Sequence, residues 1–184
     1  KNINKFDIII ISDYGHGIIT EKIRKLILKN YQKVFLNTQI NSFNRGYHTV
    51  FKYKKVNTFV VNEGELRYEL RDKHSKIEKL AKTLSKKISV KNIIVTSGRY
   101  GSVLINKKNN LLISCPAFDK NNIDAVGAGD TFFAICSLAL GSKLNSKISM
   151  MMAAISAGFA IDHVGNKSYY NFQNLKKHLI HIFK

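Results

Sequence analysis

A pair of glycines and one carboxylate carry the clearest chemistry in this chain. Asp124-Ala-Val-Gly-Ala-Gly-Asp-Thr131 runs directly into an apolar stretch of helical character. Gly127 and Gly129 let the backbone turn tightly, and with Ala128 they bare N–H groups at the start of that helix. The helix dipole adds positive potential at the same point, so the turn suits a phosphate. Asp130 follows one position later. A phosphate cradle repels a carboxylate beside it, so the carboxylate earns its place by handling a proton, and general base toward an attacking hydroxyl is the natural task. The residues alone leave a second reading equally open, an acid that merely complements the helix dipole.

That turn needs a scaffold, and the hydrophobic pattern supplies one. Lys5-Phe-Asp-Ile-Ile-Ile-Ile-Ser12 is a continuous apolar run, as in a parallel strand covered on both faces. Thr20-Glu21 opens a helix with Ile23, Leu26, Ile27 and Tyr31 on one stripe, followed by a short strand at Val34 to Leu36. A polar, Asn-rich stretch without clear period covers Asn37 to Lys55, and Thr58 to Val61 reads as the next strand. Ser75-Lys-Ile-Glu78 has the form of a capping box, and Ile77, Leu80, Ala81, Leu84 and Ile88 continue its apolar face. Asn92 to Thr96 is a buried strand ending in a glycine turn, and Ser102 to Asn106 pairs with Leu111 to Cys115 across Lys107-Lys-Asn-Asn110. Gly127 to Leu140 and Ile148 to Ile161 are apolar nearly all round, and Asn171 is placed to cap a last helix bearing Phe172, Leu175, Leu179 and Ile182. The order β-α-β-β-α-β-β-β-α-α-α predicts an α/β protein, a largely parallel sheet flanked by helices, as a single domain over residues 1–184.

Composition narrows the class. The chain has 184 residues, 45% of them hydrophobic, and one proline, enough for a real core and against a disordered tail. No unbroken apolar run, Ile8 to Ile11 included, approaches the roughly 20 residues that span a bilayer. No signal peptide is visible, and Cys115 and Cys136 lack metal-ligand spacing, so a reduced, cytoplasmic setting is expected. The formal charge of +18 points to polyanions, yet 25 of the 30 basic residues are lysine, the bias an AT-rich genome writes into any protein. Arginine, the better reader of bases and phosphates, occurs five times, which argues against a nucleic-acid surface. The histidines show no metal spacing, and Met150-Met151-Met152 reads as core packing.

The motif around Asp130 resembles the D-T-x-G-A-G-D-x-F signature of the ribokinase-like (PfkB) carbohydrate kinases, with Ala125 in place of threonine. Other segments resemble family motifs in the family's order. Asn62-Glu-Gly-Glu65 resembles the N-x-x-E motif that helps hold Mg²⁺ and phosphate, and Thr96-Ser-Gly-Arg-Tyr-Gly101 resembles the nucleotide-contacting T-x-G-x-x-G turn. Ala157-Gly158 and Val164-Gly165-Asn166 resemble the helix and loop lining the adenine pocket. Within the family the likeness is greatest to the heptose-phosphate kinase domain of ADP-heptose synthesis, where Ser12-Asp-Tyr-Gly-His-Gly17 resembles S-D-Y-A-K-G. His16 replaces a lysine there, and Asn37-Thr-Gln39 replaces D-P-K. On this resemblance Asp13, Gly15, His16, Asn37, Gln39, Asn41, Asn44 and Arg45 are candidate sugar-side residues, with a solvated Asn-rich loop as the plainer alternative.

The resemblance implies an ATP- and Mg²⁺-dependent kinase acting on a sugar or sugar phosphate, with Asp130 as base. Gly127, Ala128 and Gly129 would form the anion hole, and Asn62 and Glu65 would serve the metal. Thr96, Gly98, Gly101, Gly158, Gly165 and Asn166 would contact nucleotide. It leaves room for a homodimer. Family members carry first strands, a lid and a sugar-contacting glycine pair that do not precede Lys1, so the chain is expected to be a C-terminal, nucleotide-binding portion. Three alternatives stay open: another sugar or nucleoside kinase of the same family, a truncated non-catalytic remnant, and a basic nucleic-acid-binding module.

Overall fold

The computed structural model describes residues 3–41, 44–118, 126–161 and 172–182. Asp124, Ala125, Gly165, Asn166 and Asn171 lie outside them. The chain divides into two compact units, one of residues 1–97 with 103–112 and one of 98–102 with 113–184.

The first unit is built on β1 (Ile9–Asp13), β2 (Val34–Thr38), β3 (Lys55–Asn62) and β4 (Ser89–Thr96), with helices α1 (Glu21–Leu28), α2 (Glu63–Leu70) and α3 (Ile77–Lys87). With β5 (Ser102–Asn106) and β6 (Leu111–Cys115) the strands form a six-stranded sheet in sequence order. The first four run parallel, in a register that sets Ser12 beside Asn37, Asn37 beside Val60 and Asn62 beside Thr96. Their apolar runs follow from burial on both faces: β2 is buried at all five positions. Leu36, Phe59, Val61, Ile93 and Val95 join Leu66, Leu80 and Leu84 of the helices in one core. Lys107 N–H donates to the Lys91 carbonyl, so β5 returns antiparallel to β4. A buried polar ladder crosses three strands, Asn106 Nδ2 to Asn92 Oδ1 at 2.7 Å and Asn92 Nδ2 to Thr58 Oγ1 at 3.2 Å.

The second unit is helical after β6. α4 (Ala128–Gly141) packs along α5 (Ser146–Ile161), and α6 (Phe172–Ile182) packs on α5. Phe132, Phe133, Cys136, Met150, Ala153 and Ile155 are buried, as expected for helices apolar all round. Ser149 and Ser156 stay inside because each hydroxyl donates to the carbonyl four residues back. Cys115 and Cys136 are free and buried, and burial, then the neighbouring Cys115, pushes the Cys136 thiol up to about 12.

Two expectations about helices need correction. The sequence pattern shows one helix between β3 and β4, and the structure has two. α2 escapes the pattern because Leu66 is its one buried residue and its apolar stripe is weak. The capping box at Ser75–Glu78 does not form either. Asp72 Oδ1 accepts from the His74 and Ser75 N–H groups and Arg67 takes the Ser75 carbonyl, so α3 starts behind Lys76 without a side-chain cap.

Candidate active-site residues

Ladder alignment brings the C-terminal ends of four parallel strands together, and with them Asp13, Asn37, Asn62 and Thr96. Ligands of open α/β sheets bind at such ends. Asp13 closes β1 with its carboxylate turned inward: Oδ1 accepts the Gly15 N–H at 2.9 Å and Oδ2 accepts the Tyr53 hydroxyl at 2.6 Å. Its backbone carbonyl accepts from the Gln39 N–H and lies 3.0 Å from His48 Nε2. A carbonyl only accepts, so the buried His48 carries its hydrogen on Nε2. Gly15 turns through a positive φ of 71°, where a Cβ would lie 2.8 Å from His48 Cγ and 2.9 Å from Asn44 Nδ2.

The Asn-rich loop is knitted into this turn. Asn44 is buried and donates from Nδ2 to the Tyr14 and Gln39 carbonyls, both at 2.8 Å. Asn41 and Asn44 exchange side-chain-to-backbone bonds, and Asn41 Nδ2 reaches His16 Nε2 at 3.2 Å. Arg45 instead stands over the Tyr68 ring, 5.6 Å from its centroid. Asn37 donates to the Val60 carbonyl at 3.0 Å, and its buried Oδ1 has no hydrogen-bond partner among the described residues.

Asn62 and Glu65 form the capping box that Ser75 does not. Asn62 Oδ1 accepts the Gly64 N–H at 2.8 Å, and Glu65 Oε2 accepts the Asn62 N–H at 3.2 Å. Glu65 Oε1 also accepts the Ile40 N–H at 3.0 Å, tying α2 to the loop after β2. Beside them Glu63 is held below the usual carboxylate range, first by the Ser97 hydroxyl and then by the Arg67 guanidinium.

In the second unit Gly98 and Gly101 adopt positive φ angles of 53° and 87° around a short 3₁₀ turn. A side chain at Gly101 would run into the Cys115 carbonyl and the Pro116 backbone. Gly127, at φ 86°, caps α4 in the left-handed conformation, and the Ala128, Gly129 and Asp130 N–H groups form the first helical turn. A Cβ at Gly129 meets nothing within 4 Å among the described residues. Asp130 is exposed in that turn, and Gly158 is buried in the last turn of α5.

The family model for pfkB family carbohydrate kinases matches residues 5–169. The chain belongs to this family. Among its relatives, the bifunctional protein HldE of Aliarcobacter butzleri is 30% identical over 170 residues, covering 90% of this chain and 34% of that protein. HldE of Campylobacter curvus is 27% identical over 173 residues, covering 90% of this chain and 35% of the relative. The chain thus spans about a third of the length of these relatives. The ribokinase-like fold is equally plain. Arabidopsis thaliana ribokinase complexed with ribose and ATP superposes with a TM-score of 0.79 at 20% identity, over 96% of this chain and 57% of that one. Phosphofructokinase-2 from Escherichia coli in complex with potassium gives 0.75 at 15% identity, over 96% and 57%.

For a pfkB chain the sequence motifs are the visible part of the site. His48 and Tyr53, which fix the Asp13–Gly15 turn, carry no local signal, because their partners lie 35 and 40 residues away.

Proposed function

We propose that this chain supplies the phosphoryl-transfer end of an ATP-dependent sugar kinase whose acceptor is a phosphorylated heptose or a close relative of it. The observation that carries the reading is the start of α4: a left-handed Gly127, the Ala128 and Gly129 N–H groups in the first helical turn, open space at Gly129 among the described residues, and Asp130 in the same turn. These donors suit the γ-phosphoryl group of ATP and the charge that grows on it during transfer. Asp130 takes the proton of the attacking hydroxyl, so that the new O–P bond forms as the bond to the ADP oxygen breaks. Gly98 and Gly101 give a turn whose backbone approaches a nucleotide closely.

Mg²⁺ would neutralise charge on the phosphates. Glu65 fits it through water, since its carboxylate is negatively charged and is held at the C-terminal end of β3 by the Asn62 and Ile40 N–H groups. On the acceptor side, the buried Asn37 Oδ1 wants a donor, which a sugar hydroxyl provides. Asp13 holds the turn that presents His16 and Asn41. His16 and Asn37-Thr-Gln39 carry less charge than the motifs they resemble, which favours, as a second reading, a different phosphorylated sugar. Among the described residues no helix is long and apolar enough to cross a membrane; a cytoplasmic setting and a homodimer belong to the same proposal.

The test is ADP release by the complete protein with Mg·ATP and a panel of phosphorylated heptoses, ribose, fructose phosphate and a nucleoside. The reading expects a phosphorylated heptose to give the highest kcat/KM. Turnover confined to another sugar selects the second reading, and no turnover with any acceptor leaves the non-catalytic remnant.

A further inference from the structure

The opposite end of the sheet carries a feature that the transfer chemistry does not use. A cavity of about 520 Å³ opens at the N-terminal ends of β3 and β4, lined by Lys55, Lys91, Lys107, Lys108, Tyr31 and the apolar Val56 and Val90. Its remaining lining residues are Gln32, Asn57 and Ser89, so it has four ammonium groups and no carboxylate. Two of the lysines are held in place: Lys55 Nζ sits 3.7 Å from the Tyr31 ring centroid, and Lys107 Nζ donates to the Ser85 carbonyl at 2.9 Å. Lys91 is the third residue of β4 and Lys108 sits in the β5–β6 turn, both exposed. β3 is eight residues long, so Lys55 and Asn62 lie roughly 20 Å apart at its two ends.

We propose that this groove is a second anion site, taking a small oligophosphate-bearing molecule. One sign of charge gathered in a concave, partly apolar wall focuses the potential inside it. Lysine ammonium groups bind phosphate as point charges, and two pinned ones lose little freedom on binding. The volume is that of a small-molecule pocket, which usually measures about 300–1,000 Å³. Four cations without an arginine suit a small anion better than a long polyanion.

The probe is inorganic tripolyphosphate, titrated calorimetrically into the complete protein with a non-hydrolysable ATP analogue saturating the transfer site. Binding should persist under saturation. Lys91→Glu/Lys108→Glu should weaken it about tenfold or more, as expected when two charge-assisted contacts are lost, and Lys91→Gln/Lys108→Gln should give a smaller loss. Lys22→Glu/Lys76→Glu, the same charge change at the starts of α1 and α3, about a helix length from the groove, should stay within about twofold. Equal losses in the two charge-reversed variants would reduce the effect to net charge and overturn the proposal. Abolition by the ATP analogue would move the anion to the transfer site and overturn it too. A single-stranded RNA that binds more tightly than tripolyphosphate and loses affinity in the same groove variant would assign the surface to nucleic acid instead.

Discussion

The Tyr53 hydroxyl donates to Asp13 Oδ2 at 2.6 Å inside the first unit, while Gly15 N–H holds Oδ1 at 2.9 Å. Both side chains are buried, and burial, with the Asp13 bond and charge behind it, pushes the Tyr53 phenol up. The phenol therefore stays a donor throughout the working pH range. Tyr53→Phe removes the donor and leaves a carboxylate oxygen buried without it, which should cost about 1–3 kcal/mol. Urea denaturation of the complete protein measures this. A loss below about 0.5 kcal/mol would mean that the carboxylate finds water in place of the phenol.

Gly15 and Gly17 separate backbone strain from packing. Both have positive φ, 71° and 86°, but a Cβ at Gly17 meets nothing within 4 Å, whereas one at Gly15 meets His48 and Asn44. Gly17→Ala should cost about 1–2 kcal/mol for the left-handed backbone alone. Gly15→Ala should add about 1–3 kcal/mol of overpacking against side chains that are already hydrogen-bonded. Equal melting temperatures for the two variants would show that His48 and Asn44 move aside without cost.

Glu65 has a capping role on the page and a proposed metal role, and two substitutions tell them apart. Glutamine keeps one acceptor oxygen but sets its NH₂ group against the second backbone N–H, so Glu65→Gln should cost about 0.5–1.5 kcal/mol in stability while raising the Mg²⁺ needed for half-maximal turnover severalfold. Glu65→Ala should lose both the metal effect and about 1 kcal/mol of helix capping. An unchanged Mg²⁺ dependence in the folded glutamine variant would leave Glu65 as a cap only.

What could be read from the sequence was what local chemistry decides. The β5–β6 hairpin matches its expected bounds because its turn is self-contained: Asn106 Oδ1 accepts from the Lys108 and Asn109 N–H groups. The start of α4 follows from two glycines one residue apart, the first of which caps the helix in the left-handed conformation. Ser75 shows the limit of that logic, since a competing acceptor three residues earlier, Asp72, takes its N–H. The Asn-rich loop shows it more strongly. Nothing around Asn44 announces that it bridges the Tyr14 and Gln39 carbonyls, because the β1–β2 pairing creates that site.

Gly129 tests the proposed anion hole without touching the proposed proton chemistry. Its position is open among the described residues, so Gly129→Val should fold, at about the helix-propensity cost of a β-branched residue in place of glycine, which is small or favourable. The new methyl groups would stand beside the helix-start N–H groups proposed to meet a phosphate. Nucleotide affinity should fall about tenfold or more by calorimetry, since charge-assisted bonds to backbone N–H groups are displaced. Undiminished affinity in the folded variant would place the phosphate elsewhere.

Asp130 carries the proposed mechanism. It is exposed in the first turn of α4, where a negative charge also favours the helix dipole. The two roles predict different losses. Asp130→Asn is nearly isosteric, and removing a dipole partner should cost about 0.3–1 kcal/mol of stability with no reason for a large change in kcat. Removing a general base should lower kcat by about 10²–10⁴. Nucleotide affinity should hold or rise, because a negative charge has left the neighbourhood of the phosphate. The measurement is steady-state turnover of the complete protein with its best acceptor, beside a melting curve of the same variant. A kcat within about threefold of the parent would return Asp130 to the dipole and remove the base from the proposed mechanism.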